Sequence, residues 1–314
     1  KYIVYTLIRS KMFDKFRYNG KFQLLIDGTG LVSFNQKHCD HCLVRKHSDG
    51  HFSYEHHVLE AKLVFDSFVL SIDSEFIENP NPDVINIKKQ DCEMKAFKRM
   101  AIRLKKNFPK LSFIITGDAL YASGPFIKLC LDNNWDFMFR LKSDKLRTVN
   151  QDFDGLIAIN SGSIHKNYFV VNDYQYNQYK FNIIRFIEHI ESKKEKTFTF
   201  ITSLPVTDNN IKCLIEMGRR RWKIENHGFN NQKNILFNIS HMCSLNYNAM
   251  KVHYFFTQFA HTIRQLLDFG STLVKVFQGK IKEISFAILN ELISSHVSVS
   301  LNHNFQLRFD MLII

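Results

Sequence analysis

Three carboxylates fall where polar chemistry meets buried segments of this chain. Asp27 follows the apolar run Phe22-Gln23-Leu24-Leu25-Ile26, Asp118 follows Leu111-Ser112-Phe113-Ile114-Ile115-Thr116-Gly117, and Glu225 lies within the polar stretch Arg219–Asn234. Carboxylates delivered to one sheet edge can hold two divalent cations roughly 4 Å apart, an arrangement suited to phosphoryl transfer. Mg2+ is satisfied by a few carboxylates together with water and substrate phosphate, so three such residues suffice. Asp-Gly and Gly-Asp are also ordinary turn formers, and either aspartate alone has a structural reading. Their joint order along the chain carries the weight.

The stretch around Glu225 sets one carboxylate among five cations, Arg219, Arg220, Arg221, Lys223 and Lys233. At about 100° per residue a helix places Arg221, Glu225 and Gln232 on one face, with Phe229 beside them. Arg221 within a turn keeps the carboxylate ionised, and the flanking cations attract a polyanion. Trp222 would stack on a flipped base or anchor the helix to a sheet. The competing interpretation is a surface helix laced with i,i+4 pairs.

Composition narrows the partners. With 314 residues, 45% of them hydrophobic, the chain can bury a sizeable core, and a net charge of +12 favours polyanions. No apolar run is long enough to span a bilayer and no secretory signal is visible, so nucleic acid is favoured over membrane. Six cysteines fit a reducing cytoplasm better than a disulfide scaffold. The chain begins at Lys1 with residues resembling the middle of a helix, which suggests a preceding N-terminal portion.

The elements that must position these residues form an α/β pattern. Residues 1–20 read as the remnant of an N-terminal region, with a short helix or tail over Lys1–Phe16. Buried strands are expected at Phe22–Gly30 and Leu111–Asp118, with further strands at Tyr54–Phe65, Ser67–Ile77 and Asp136–Leu141. The strands at Phe22–Gly30, Tyr54–Phe65 and Ser67–Ile77 make an antiparallel meander. Asp91–Phe108 is a helix with Phe97, Ile102 and Leu104 for burial and Lys95, Lys98, Arg99, Arg103 and Lys106 for solvent, stopped by Pro109. Pro125–Leu131 is a short helix. Residues 21–142 are thus the first part of a core. Residues 143–206 form a β-rich insertion without a convincing helix. Residues 207–270 complete the core, with Asp208 as N-cap of the helix leading to Glu225 and a last amphipathic helix at Ala249–Leu267. Residues 271–314 are a C-terminal tail.

Several blocks resemble the DDE transposases of bacterial insertion sequences: Ile26-Asp27-Gly28-Thr29, Cys39-Asp40-His41-Cys42, Lys89-Gln90-Asp91-Cys92-Glu93, Gly117-Asp118-Ala119-Leu120-Tyr121 and Arg221-Trp222-Lys223-Ile224-Glu225-Asn226. The resemblance runs from about Leu24 to Leu267. It implies an RNase H-like mixed sheet flanked by helices and interrupted by a β insertion. It also implies Asp27, Asp118 and Glu225 as a triad binding two Mg2+ (or Mn2+) ions, Asp27 bridging both. Arg221 matches the arginine of a Tyr-Arg-Glu-Lys signature that contacts DNA phosphate. The signature's tyrosine falls at Gly218 and its lysine at Gln232, with Lys233 one place late. The family cuts at transposon ends and joins them to target DNA. Double-stranded DNA, both inverted repeats and target, a homodimer on DNA and a nucleoid-associated bacterial cytoplasm are therefore implied. The alternative is a catalytically decayed remnant that only binds DNA.

Two further readings are weighed. Cys39-x-x-Cys42 in a histidine-rich loop has the spacing of half a structural zinc site, completed by His47 and one further ligand, while His56 and His57 lie inside a strand with one of them facing the core. Asp27-Gly28-Thr29 also resembles the nucleophile loop of haloacid-dehalogenase-like phosphatases. That loop requires an acid at Leu25, and the later Gly-Asp loop of those phosphatases requires another at Ala122.

Overall fold

The computed structural model describes residues 1–11, 13–65, 68–79, 90–159, 167–190, 194–221, 224–235, 237–241, 243–270, 286 and 290; for 190, 194, 224–227, 231 and 267–270 the description is of the backbone. Nearly all of the expected tail, 271–314, lies outside these residues, as do Trp222 and Lys223.

A mixed sheet organises the described chain. β1 (Phe22–Phe34) pairs antiparallel with β3 (Phe52–Val64), which pairs on its other side with β2 (Leu43–Lys46) and β4 (Val69–Ile77). On its remaining edge β1 runs parallel to β5 (Phe113–Gly117), and β5 runs parallel to β6 (Asp136–Leu141). Parallel neighbours need crossovers, which the helices α2 (Glu93–Asn107) and α3 (Gly124–Asp132) supply. β7 (Tyr168–Tyr176), β8 (Tyr179–Ile190) and β9 (Lys194–Thr202) continue the same sheet, because β9 pairs antiparallel with β6. The β-rich stretch thus extends the core sheet edge to edge. It also contains a helix that its sequence did not suggest, α4 (Arg147–Ile159), buried only through Val149 and Phe153.

Alternation along the strands assigns the two faces. Leu24 and Ile26 of β1, Phe113 and Ile115 of β5, and Phe137 and Phe139 of β6 share one core with Ala96, Phe97, Met100 and Leu104 of α2. The first helix, α1 (Tyr2–Arg9), adds Val4 and Leu7 to that core. Ile114 and Met138 point the other way and pack against Ile211, Leu214 and Met217 of α5 (Ile211–Arg219). Leu25, Val64 and Val69 on this second face receive Phe229, from a π-helix at Ile224–Ile235. Alongside runs α6 (Tyr247–Gly270).

Four expectations are corrected. β1 does not stop at Gly30, because β3 offers ladder partners as far as Phe34. Ile102 is 72% exposed, so Met100 and Leu104 bury α2 instead. Arg99 and Arg103 of α2 are not simply solvated: Arg99 bonds Asp91 (2.6 Å) and Glu75, and Arg103 bonds Asp73 (3.1 Å) and Glu75. Asn210, not Asp208, is the N-cap of α5.

One polar group is held deep on the second face. Lys62 and Glu60, both wholly buried, lie 3.1 Å apart. Tyr254 and Ser71 donate to Glu60 at 2.7 and 2.6 Å, and the Lys62 ammonium donates to Gln258 at 3.1 Å. Burial pulls the Lys62 ammonium below its ordinary range against the pull of Glu60. Removing one member of such a pair strands the other charge in low dielectric, whereas neutralising both removes that cost. Lys62→Met is expected to destabilise by about 3–5 kcal/mol, and adding Glu60→Gln to recover much of it. Denaturant unfolding checks this; a double variant no more stable than Lys62→Met would contradict it.

Candidate active site

Register brings two of the three carboxylates together. In the parallel pairing Leu25 of β1 stands opposite Thr116 of β5, so two residues on, Asp27 and Asp118 stand level where the pairing has just ended. Both have the parity of Leu25 and Ile114, so both belong to the face covered by α5 and the π-helix. Local bonds aim each carboxylate: Asp27 accepts from the Gly28 N–H at 3.1 Å, and Asp118 from the Leu120 N–H at 2.8 Å. Arg221 Nη1 is 3.5 Å from Asp27 Oδ2. Asp27, Asp118 and Arg221 line one open cleft with Arg140, Lys142 and Arg219, walled by Phe198 and Phe200.

Glu225 sits in the second residue of the π-helix, whose side chains at 224–227 are outside the described residues. What seats that helix is described. Phe229 is buried on Leu25, two residues before Asp27, and the Lys62 ammonium lies 5.6 Å from its ring centroid. Gln232, fully buried, donates to Gln258 Oε1 at 2.8 Å and lies 3.0 Å from His261 Nδ1, both on α6. The position of the signature lysine is thereby given to a side chain that joins two helices. Lys233 is half-buried, and burial lowers its ammonium pKa. Hydrogen bonds to the fifth preceding residue make this helix wider than the 100° reading assumed.

Gly218, where the signature tyrosine falls, has a physical cause. A Cβ there would stand 2.7 Å from the Phe200 ring, so α5 lies too close to β9 for any side chain. Arg219 bonds Glu188 at 2.7 Å and its guanidinium sits 5.3 Å from the Phe198 ring centroid. Arg220 is half-buried at the C-cap of α5.

Two contributors were missed by sequence reasoning. Arg140 shares the parity of Met138 on β6 and so enters the same face; alternation along Asp136–Leu141 was the available signal. Its Nη2 donates to the Thr197 carbonyl at 2.6 Å, while its Nη1 is buried without a hydrogen-bond partner. Burial, then the charge of Arg221, pulls its pKa down to about 10. Two guanidiniums held within each other's field are a receptor for an anion. Glu93, first residue of α2, approaches from the opposite face: Tyr121 donates to it at 2.8 Å, and it abuts Gly28. Burial, with the charge of Asp118 adding, raises its pKa.

The strand sequence β4-β3-β1-β5-β6, antiparallel up to β1 and parallel beyond, with an acid on the central strand and another just past its parallel neighbour, is the arrangement expected of an RNase H-like core. The family model described as "Transposase DDE domain" matches residues 86–263, more than half of the chain. The chain belongs to the DDE transposase family. The match takes in Asp118 and Glu225 and begins after Asp27. Comparison with curated proteins finds no match. Among solved structures, the NurA nuclease from Sulfolobus solfataricus aligns with 10% identity over 69% of this chain and 81% of that chain, at a TM-score of 0.32. Endonuclease V from Ciona intestinalis, in complex with inosine-containing DNA, aligns with 13% identity over 77% and 87%, at a TM-score of 0.26. Among the described residues no helix is long and apolar enough to cross a membrane.

The packing behind Asp27 generates a test. A Cβ on Gly28 would stand 2.5 Å from Glu93 Oε1, so Gly28→Ala should destabilise this transposase by about 1–3 kcal/mol through overpacking. Glu93→Ala should cost about 1–3 kcal/mol by stranding the buried Tyr121 hydroxyl. Because the first penalty requires the Glu93 carboxylate, the double variant should cost less than the sum; strictly additive unfolding energies would refute the contact.

Proposed function

We propose that this transposase cuts DNA at transposon ends and joins those ends to target DNA, with Asp27, Asp118 and Glu225 as its catalytic carboxylates. The observation that supports it most is the level placement of Asp27 and Asp118 on one sheet face, in a cleft that also gathers Arg140, Lys142, Arg219 and Arg221. The donor set fits hard divalent cations: carboxylate oxygens in an open, polar cleft suit Mg2+ or Mn2+, which retain water and substrate phosphate as further ligands. Asp27, Asp118 and Glu225 would together hold such ions. When bound, they supply charge neutralisation and nucleophile activation for phosphoryl transfer.

The chain's own residues do the rest. Arg221, 3.5 Å from the Asp27 carboxylate, receives the phosphate backbone together with Arg140, Arg219 and Lys142. Arg140, half-buried, lies over the Phe198 ring at 4.6 Å and donates to the Thr197 carbonyl, which fixes it in place before DNA arrives. Such preorganisation avoids the entropy of ordering a long side chain. Glu93 and Tyr121 brace the strand bearing Asp27 from behind. Lys233, Trp222 and Lys223 are assigned to DNA contact on the strength of their residue types alone. Two copies of the chain on paired inverted repeats, in the bacterial cytoplasm, make up the working assembly.

Purified protein with a labelled transposon end tests this. Nicking should require Mg2+ or Mn2+ and fall by about 10³-fold or more in Asp27→Asn, Asp118→Asn and Glu225→Gln, with DNA affinity retained. Salt-sensitive binding without cleavage in the unmutated chain would identify a decayed remnant instead. Arg140→Ala should weaken binding evenly across DNA sequences and reduce the slope of log affinity against log salt by about 1. An unchanged slope would remove Arg140 from the interface.

A further inference from the structure

A second cluster of ligating side chains lies in the loop joining β1 to β2. His38, Cys39 and Cys42 come from that loop and His56 from β3, and one donor atom of each lies within 4.8 Å of all the others. The measured edges are 3.6 Å between Cys39 Sγ and Cys42 Sγ, 3.4 Å from Cys42 Sγ to His38 Nδ1, 3.4 Å from Cys39 Sγ to His56 Nε2 and 3.6 Å from Cys42 Sγ to His56 Nε2. A tetrahedral zinc with bonds of about 2.3 Å to sulfur and 2.0–2.1 Å to nitrogen has sulfur–sulfur edges of about 3.8 Å and sulfur–nitrogen edges of about 3.6 Å. The four donors therefore already stand close to the corners of such a tetrahedron.

The geometry points to a structural Zn2+ site formed by His38, Cys39, Cys42 and His56. His47, the ligand expected from sequence, is engaged elsewhere: its Nε2 is 2.8 Å from Ser53 Oγ and its ring stacks on His51 at 4.1 Å. Two thiolates with two imidazoles in tetrahedral array select zinc among the common divalent ions, and four protein ligands leave no position open for substrate. The shell around the cluster is built. Phe34 stacks on His38 at 4.3 Å, and Tyr247 stacks on His41 at 4.2 Å and tilts over His56 at 5.1 Å. Asn79 donates to the Cys42 carbonyl at 2.6 Å, and Cys42 and His56 are each 1% exposed. The ion would clamp the loop to β3 and to the first residue of α6, the helix whose Gln258 and His261 hold Gln232 on the Glu225 helix. The site stands apart from the carboxylates, so its presence is independent of the proposed cleavage.

The test is zinc content of the full-length chain by mass spectrometry, with thiol titration. About one Zn2+ per chain is expected, lost with a fall in melting temperature when chelated. Cys42→Ser and His56→Ala should lose the metal, and His47→Ala should keep it. Because the first two variants can fail to fold, Co2+ exchange into the unmutated chain gives a second readout: thiolate-to-cobalt charge transfer and the intense visible bands of a tetrahedral ion. Zinc far below stoichiometry with two freely reactive thiols, or a Cys39–Cys42 disulfide in its place, overturns the site. So does a His47→Ala variant that loses the metal while His56→Ala retains it.

Discussion

Everything at the cleft depends on the parallel pairing of β1 with β5. Antiparallel ladders to β3 could hold β1 in the sheet by themselves, but only the four-residue parallel register sets Asp27 level with Asp118. Period-two alternation then decides the face, and a slip of β1 by one residue would turn Asp27 into the α2 core and away from Asp118. Burial on both faces enforces that register. Leu24 and Ile26 fill one core, Leu25 the other, and no shifted pairing satisfies both. Gln23 adds a polar lock on the second face, donating to Thr116 Oγ1 at 3.1 Å and to the Met217 carbonyl at 2.8 Å. It ties β1, β5 and α5 at one point, four residues before Asp27.

The helix bearing Glu225 is positioned by different physics. Phe229 gives it one hydrophobic anchor, and the remaining fixation is polar: Gln232 to Gln258 and His261, Gln258 to Lys62, Lys62 to Glu60, Glu60 to Tyr254. Hydrophobic contact alone tolerates sliding and rotation, whereas a chain of directional bonds in low dielectric has few alternative arrangements. An ion pair buried this way contributes little net stability, so its value here is geometric. It fixes the helix against α6 and β3, and with it the backbone position of the carboxylate proposed as the third of the triad.

What could be read from residues alone was the part enforced by continuous apolar runs. β1, β5, β6 and α2 declare themselves, because buried strands and an amphipathic helix leave little freedom in residue choice. Failures came where tertiary partners overrode local signals. Asp27-Gly28 is turn chemistry, yet β3 keeps β1 extended through it. α4 buries only Val149 and Phe153, too few to mark a helical stripe. Cys39-x-x-Cys42 was visible, but His47, five residues after Cys42, is nearer in sequence than His56, fourteen after it; only strand parity, which gives His56 the inward face of Val58, picks out His56. Arg140 was hidden by being one cation in an apolar strand. Its role follows from what lies across the sheet, not from its neighbours along the chain.

The charge of the molecule is likewise a matter of placement. A net +12 suggests a diffuse affinity for DNA, but Arg99 and Arg103, prominent in the basic helix, are neutralised by Asp73, Glu75 and Asp91. They hold α2 to β4, which in turn sets Glu93 beneath Gly28. Arg140 and Arg221 are placed differently, close enough for each to feel the other's charge in a partly desolvated cleft. Like charges held together in this way raise the energy of the empty site, and a phosphate between them lowers it. Aspartates and guanidiniums therefore share one cleft, and the phosphodiester and divalent ions of the proposed reaction offer charges of both signs to answer them.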